Sequence, residues 1–265
     1  MLSQLAIGNW KMNPLTRQEA IELATGVARG VRQWGSWDPS QVGIGLGAPY
    51  LFLEAVGVAI AGTGIELVAQ DAHPEPSGAR TSAISAAMLA SVGVDRVIVG
   101  HSERRTLFHD DDAIVAAKLR AVLREPSLSA VLCVGESLEE RQSSAHEGVV
   151  ERQLRAALEG VSAADLPRTV VAYEPVWAVG TGHTASPEQA GEMHTFIQGI
   201  LSTLVPGPNS PLVLYGGSVT PENVNALAAT PGIDGVLVGG ASLKADSFVR
   251  IVKGCATQAS DARSS

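Results

Sequence analysis

Cysteine is scarce: the 265-residue chain has two, Cys133 and Cys255. That excludes a disulfide framework, and neither residue lies in a spacing that binds zinc. Cys133 falls within an apolar run, Ala130-Val131-Leu132-Cys133-Val134, where a thiol behaves as a small buried hydrophobe. Charge is sparse too, with 17% of residues Asp, Glu, Lys or Arg and a net charge of −8. No lysine- or arginine-rich block occurs, which argues against nucleic acid and anionic membranes as partners. An anionic small molecule remains compatible, because backbone amides and one placed lysine act locally whatever the net charge. The chain also lacks an apolar run long enough to span a bilayer, a signal-like start at Met1-Leu2-Ser3-Gln4, a linker and any low-complexity block. The expectation is a soluble cytoplasmic protein with one domain over residues 1–257 and a dispensable, disordered tail over 258–265.

What is present is alternation. Short, near-continuously apolar runs read as strands at Gln4–Asn9, Val42–Ala48, Ile65–Ala69, Arg96–Val99, Ala130–Val134, Thr169–Tyr173, Leu212–Tyr215 and Gly235–Val238. Such runs suit parallel strands covered on both faces. Each is followed by a helix signal. Thr16-Arg17-Gln18-Glu19 has capping-box spacing. Ser186-Pro187-Glu188-Gln189 places a cap and an N1 proline before a helix through Leu204, and Thr220-Pro221-Glu222-Asn223 repeats the pattern. Eight such units predict an α/β fold, a closed (β/α)8 barrel of eight parallel strands, with an open doubly wound sheet as the structural rival.

In such a barrel, polar residues at the C-terminal strand ends are the catalytic candidates. The sixth run ends in Glu174, followed by Pro175-Val176-Trp177-Ala178-Val179 and Gly180-Thr181-Gly182. That is a base at the end of a buried strand, beside a loop stiff at its start and glycine-rich at its end. The first run leads into Asn9-Trp10-Lys11, which can set a cation at the barrel mouth. The fourth leads into His101-Ser102-Glu103, where a helix N-terminus facing the imidazole would keep it neutral. Gly216-Gly217-Ser218 and Gly239-Gly240 follow the last two runs, where backbone N–H groups can approach a phosphate. Each has a plainer explanation alone: a solvated lysine, a structural histidine, a tight turn. Together they would set a carboxylate base, a hydrogen-bond donor and a cation around a phosphate-binding turn.

These segments resemble the triosephosphate isomerase family: GNWKMN (Gly8–Asn13), VGHSERR (Val99–Arg105), CVGES (Cys133–Ser137), YEPVWAVGTG (Tyr173–Gly182), YGGSV (Tyr215–Val219) and GVLVGGASL (Gly235–Leu243). The resemblance runs from Gly8 to about Cys255 and implies a TIM barrel that interconverts dihydroxyacetone phosphate and glyceraldehyde 3-phosphate in glycolysis or gluconeogenesis. It implies Glu174 as the base, His101 as a neutral electrophile, Lys11 as the electrostatic stabiliser and Glu103 as the carboxylate accompanying them. Asn9 would orient the site, and amides of Gly180, Ser218, Gly239 and Gly240 would hold the phosphate. Val179 and Leu237 would clamp the base, while Glu136 would anchor the loop Trp177, with Tyr215 in the wall behind. The neutral histidine and the closing loop are established features of this family. No metal and no organic cofactor are implied.

The third barrel loop departs from the pattern. Where the family has Asn and then Thr-Gly-Glu, this chain has Asp71 and Thr81-Ser82-Ala83. The resemblance implies a homodimer in which this loop, around Thr81, enters the neighbouring subunit. The glutamate that would meet an arginine such as Arg104 is missing, and Arg80 is the nearest candidate for a different ion pair. Ser82 stands at a glycine position, so a reshaped turn is expected if φ > 0 is required there. His183 stands where a lysine is common. Two other functions are weighed: a related isomerase for a four-carbon ketose phosphate, and a non-catalytic phosphate binder. The second would be expected to lack Lys11, His101 or Glu174, and all three are present.

Overall fold

Eight strands close on themselves in sequence order: β1 (Gln4–Asn9), β2 (Val42–Ala48), β3 (Glu66–Ala69), β4 (Arg96–Val99), β5 (Ser129–Val134), β6 (Thr169–Tyr173), β7 (Val213–Tyr215) and β8 (Gly235–Val238). The computed structural model describes residues 3–178, 185–204 and 210–261. All neighbouring strands are parallel, and β1 pairs with both β2 and β8, so no edge is left open. The result is the single-domain (β/α)8 barrel expected from the alternation, not the open sheet. Strand limits differ from the sequence reading by one residue at the starts of β3, β5 and β7.

Helices α1 (Arg17–Trp34), α2 (Leu53–Ile60), α3 (Ala86–Ser91), α4 (Ser102–Phe108), α5 (Asp112–Leu123), α6 (Leu138–Gln142), α7 (His146–Leu158), α8 (Pro187–Leu204), α9 (Val224–Ala228) and α10 (Ala245–Asp261) lie between and after the strands. Thr16 forms the full capping box with Glu19, and Ser186 exchanges hydrogen bonds with Gln189 in the same way. The third pattern behaves differently. Thr220 and Asn223 do bond reciprocally, but that turn precedes the helix, which begins only at Val224. α10 continues to Asp261, past the start of the expected tail, and residues 262–265 lie outside the described part.

The strand alternation divides the core in two. Leu5, Ile7, Val68, Ile98, Val131, Cys133, Val170, Ala172, Leu214 and Leu237 fill the barrel interior. Ala6, Ile44, Leu46, Val97, Leu132, Val171 and Val236 face outward, against helix residues such as Val27, Leu119 and Ile251. Both faces of each strand are thus buried, which is why the strands read as continuous apolar runs. Among the described residues no helix is long and apolar enough to cross a membrane.

Candidate active site

At the C-terminal mouth of the barrel, a cavity of about 270 Å³ is lined by Asn9, Lys11, His101, Glu174, residues 216–220, Leu237 and residues 239–241. Strand ends β1, β4, β6, β7 and β8 therefore supply it, and side chains remote in sequence meet there. The β1 end bends sharply: Lys11 adopts φ 54°, and its amide donates to Asn9 Oδ1 at 3.0 Å. A left-handed lysine costs about 1–2 kcal/mol and needs fixed surroundings to persist. Gln70, at the end of β3, supplies them by donating from Nε2 to the carbonyls of Lys11 and Gly47, both at 2.8 Å. Lys11 Nζ reaches Glu103 Oε1 at 2.7 Å.

α4 presents three consecutive residues to the site. His101 caps it, with Nδ1 accepting the Glu103 amide at 3.2 Å. That lone pair is occupied, so the ring proton belongs on Nε2, which lies 3.0 Å from Glu174 Oε1. Ser102 holds Glu174 twice, by its amide to Oε2 at 2.9 Å and by its hydroxyl to Oε1 at 3.1 Å. Burial works to raise the Glu174 pKa, but the His101 and Ser102 donors outweigh it and the carboxyl is lowered. For His101, burial works downward while the adjacent Glu174 carboxylate raises the ring, and the sum is upward. The upward influence belongs to this contact, and movement of Glu174 away from the ring would remove it.

The opposite wall is glycine. A Cβ on Gly240 would meet nothing within 4 Å, and one on Gly239 would meet only the Lys11 side chain, at 3.5 Å or more. Both residues line the cavity, and a side chain on either would project into open space. Gly216 and Gly217 have a different cause. A Cβ on the first would lie 2.9 Å from Glu174 Cγ, and one on the second 2.2 Å from the Tyr215 hydroxyl oxygen. A four-residue 3₁₀ turn, Gly240–Leu243, follows β8.

Behind the β6 loop, Glu136 is fully buried and its Oε1 accepts from Tyr173 Oη at 3.0 Å and Trp177 Nε1 at 2.8 Å. Ser218 Oγ donates to the Ala178 carbonyl at 2.8 Å, joining the β7 loop to the start of the β6 loop. Tyr215 is fully buried in the adjoining wall. Val179, Gly180, Thr181, Gly182, His183 and Thr184 lie outside the described residues.

Three residues in contact with the candidate site residues escaped the sequence reading. Ser102 was visible only as part of the His101-Ser102-Glu103 string. Gln70 carried no signal. Cys133 was read as a core thiol, and it is fully buried but also pressed against Glu174, whose charge adds to burial in holding the thiol protonated. In the third loop, Ser82 does adopt φ 72°, so the turn keeps a glycine-like geometry on a serine. Arg80 donates to the Ala79 carbonyl beside it. Arg104 meets carboxylates of its own chain, Asp71 at 3.3 Å and Asp110 at 3.2 Å.

A family model described as triosephosphate isomerase matches residues 4–255. A triosephosphate isomerase of Chlorobium phaeovibrioides is 46% identical over 255 residues, covering 96% of this chain and 99% of that protein. One of Roseiflexus castenholzii is 46% identical, covering 95% and 97% respectively. One of Thiobacillus denitrificans is 45% identical, covering 97% of this chain and 100% of its own.

Proposed function

The chain belongs to the triosephosphate isomerase family and is an enzyme of the aldose–ketose isomerase type, and from that premise we propose that it interconverts dihydroxyacetone phosphate and D-glyceraldehyde 3-phosphate. The observation that carries the reading is one cavity lined by Glu174, His101 and Lys11 together with Ser218, Gly239 and Gly240.

In this reading the substrate phosphate sits against the amides of Ser218, Gly239 and Gly240, with Gly180 completing the set. Lys11 neutralises charge on the phosphate and carbonyl oxygens. Glu174, kept ionised by its lowered pKa, exchanges the Ser102 and His101 contacts for the carbon-bound proton. The pair of electrons left behind moves onto the carbonyl oxygen, giving an enediolate that His101 Nε2–H stabilises as a donor. Transfer of the hydroxyl proton from one oxygen to the other, and return of the carbon-bound proton to the neighbouring carbon, complete the isomerisation, so no other reactant is consumed. Leu237, with Val179 from the β6 loop, would press on the base. Glu136, holding Trp177, would fix the hinge of that loop. Closure matters because a phosphorylated enediolate exposed to water expels phosphate.

We further propose a cytoplasmic homodimer acting in triose phosphate metabolism. Met12, 90% exposed, together with Leu15, Leu51, Leu107 and Phe108, leaves an apolar surface that a second copy would cover. The third loop around Thr81 would enter that surface.

Steady-state isomerisation of glyceraldehyde 3-phosphate tests the activity, with Glu174→Asp alongside. Retracting the carboxylate by one methylene is expected to lower kcat by about a hundredfold or more. Little wild-type turnover would overturn the three-carbon assignment and direct the same assay to four-carbon ketose phosphates.

A further inference from the structure

Next to the site, and serving none of the roles above, lies a buried ionic cluster. Lys118 of α5 is 4% exposed, and its Nζ lies 2.8 Å from both Asp71 carboxylate oxygens and 2.6 Å from Asp110 Oδ2. Arg104 of α4 touches the same two carboxylates, and its guanidinium stacks 4.0 Å from the centre of the Phe108 ring. Two cations and two anions thus balance, with Lys118 and Asp110 buried and Arg104 at the solvent edge, and each anion is shared.

The two carboxylates are not equivalent. Asp110 immediately follows α4, and its amide donates to the Arg104 carbonyl, so it moves with that helix. Asp71 is remote in sequence and sits just beyond β3. It is the member of the cluster that refers α4 and α5 to the sheet. Its neighbour Gln70 grips the carbonyl of Lys11. One dipeptide at one strand end therefore locates both Lys11 and the helix whose first turn carries Glu103, Ser102 and His101.

We propose that Asp71 is a positioning residue for the isomerisation: through Arg104 and Lys118 it sets the placement of α4, and so of Glu103 against Lys11 and of His101 and Ser102 against Glu174. The charge matters in this chain because the resemblance pairs an asparagine here with a third-loop glutamate that would meet Arg104, and here that glutamate is absent while Asp71 brings a carboxylate to the arginine instead. An asparagine can accept from Lys118 with its oxygen, but its amide nitrogen would then face Arg104 with no lone pair to offer. Because the cluster is closed within one chain, this placement does not wait for a partner subunit.

The kinetic arm rests on the isomerase reading, and a second arm does not. Asp71→Asn is nearly isosteric and leaves Lys118 paired with Asp110. The expected result is a fall in kcat of about ten- to a hundredfold with KM within about twofold, since the glycine amides lie on other loops. The loss should be unchanged when protein concentration is raised. In parallel, the imidazole nitrogen signals of His101 should shift in the variant while those of buried His194 stay in place. Asp71→Asn/Lys118→Met, which also removes the buried cation, supplies the same readouts if the single variant folds poorly. A kcat within twofold of wild type would overturn the proposal, as would a loss restored at high protein concentration or unmoved His101 signals. If the wild type shows no turnover, the isomerase reading falls, and the His101 signals alone decide whether Asp71 places α4.

Discussion

Glu174 and His101 are held in a resting contact whose energetics favour readiness over rigidity. A buried carboxylate stripped of partners would take up a proton, and the Ser102 amide, Ser102 hydroxyl and His101 ring prevent that. Hydrogen bonds to a charged group are worth about 1.5–3 kcal/mol each, strong enough to hold the side chain in place. His194 is the contrasting histidine. It is fully buried, its Nδ1 lies 3.0 Å from the Gly232 carbonyl, and burial lowers its pKa to about 4. In the unfolded chain the ring titrates near the ordinary value of 6.5. As pH falls below 6.5 the unfolded state binds a proton that the folded state refuses, so stability is lost down to about pH 4. The expected loss across that window is on the order of 3 kcal/mol. Urea unfolding at pH 7 and 4.5 should show a steeper loss for wild type than for His194→Gln. Parallel curves would refute the assignment of this loss to His194.

At the scale of elements, glycine positions separate two causes that look identical in sequence. A Cβ at Gly135 would stand 1.8 Å from the Glu174 carbonyl oxygen, because the ends of β5 and β6 approach there with no space between them. Gly135→Ala must displace the strand end that carries Glu174. Turnover is expected to fall by about a hundredfold, measured by the same isomerisation assay. Ser82 presents the inverse case. Its left-handed φ of 72° is strained for a residue with a Cβ, so Ser82→Gly is expected to stabilise the protein by about 1 kcal/mol, read as a higher urea midpoint. An unchanged or lower midpoint would mean that the serine has compensating contacts. The helix caps show how far local signals reach. Thr16 and Ser186 read correctly because a cap needs only four consecutive residues, whereas Thr220 built the same hydrogen bonds into a turn that stops short of a helix.

For the whole molecule, barrel closure satisfies every strand edge, and the exposed apolar residues Met12, Leu15, Leu51, Leu107 and Phe108 lie on the segments that follow β1, β2 and β4. If that surface is the dimer interface, Met12→Asp should give a folded monomer at micromolar concentration. Analytical ultracentrifugation, with circular dichroism as a check on folding, would read this directly. A dimer that persists unchanged would place the interface elsewhere. The Arg104 cluster contributes at this scale too, since it satisfies within the chain a guanidinium that lies among these exposed groups.

Much of this was legible in the chain itself, for a physical reason. Strand and helix periodicity, capping residues and the glycine pairs at strand ends express constraints between near neighbours, and closure follows from eight parallel strands that each bury both faces. The candidate site residues Lys11, His101 and Glu174 were legible in combination, because each follows an apolar strand and a parallel barrel brings such strand ends to one mouth. What only the tertiary structure decided depends on distances between remote segments. Ser102 faces Glu174 because α4 points its first turn across the mouth. Gln70 holds Lys11 because β3 ends beside β1. Asp71 meets Arg104 and Lys118 because three elements converge on one buried pocket. No local pattern encodes those contacts, since each depends on where the closed barrel brings its strand ends together.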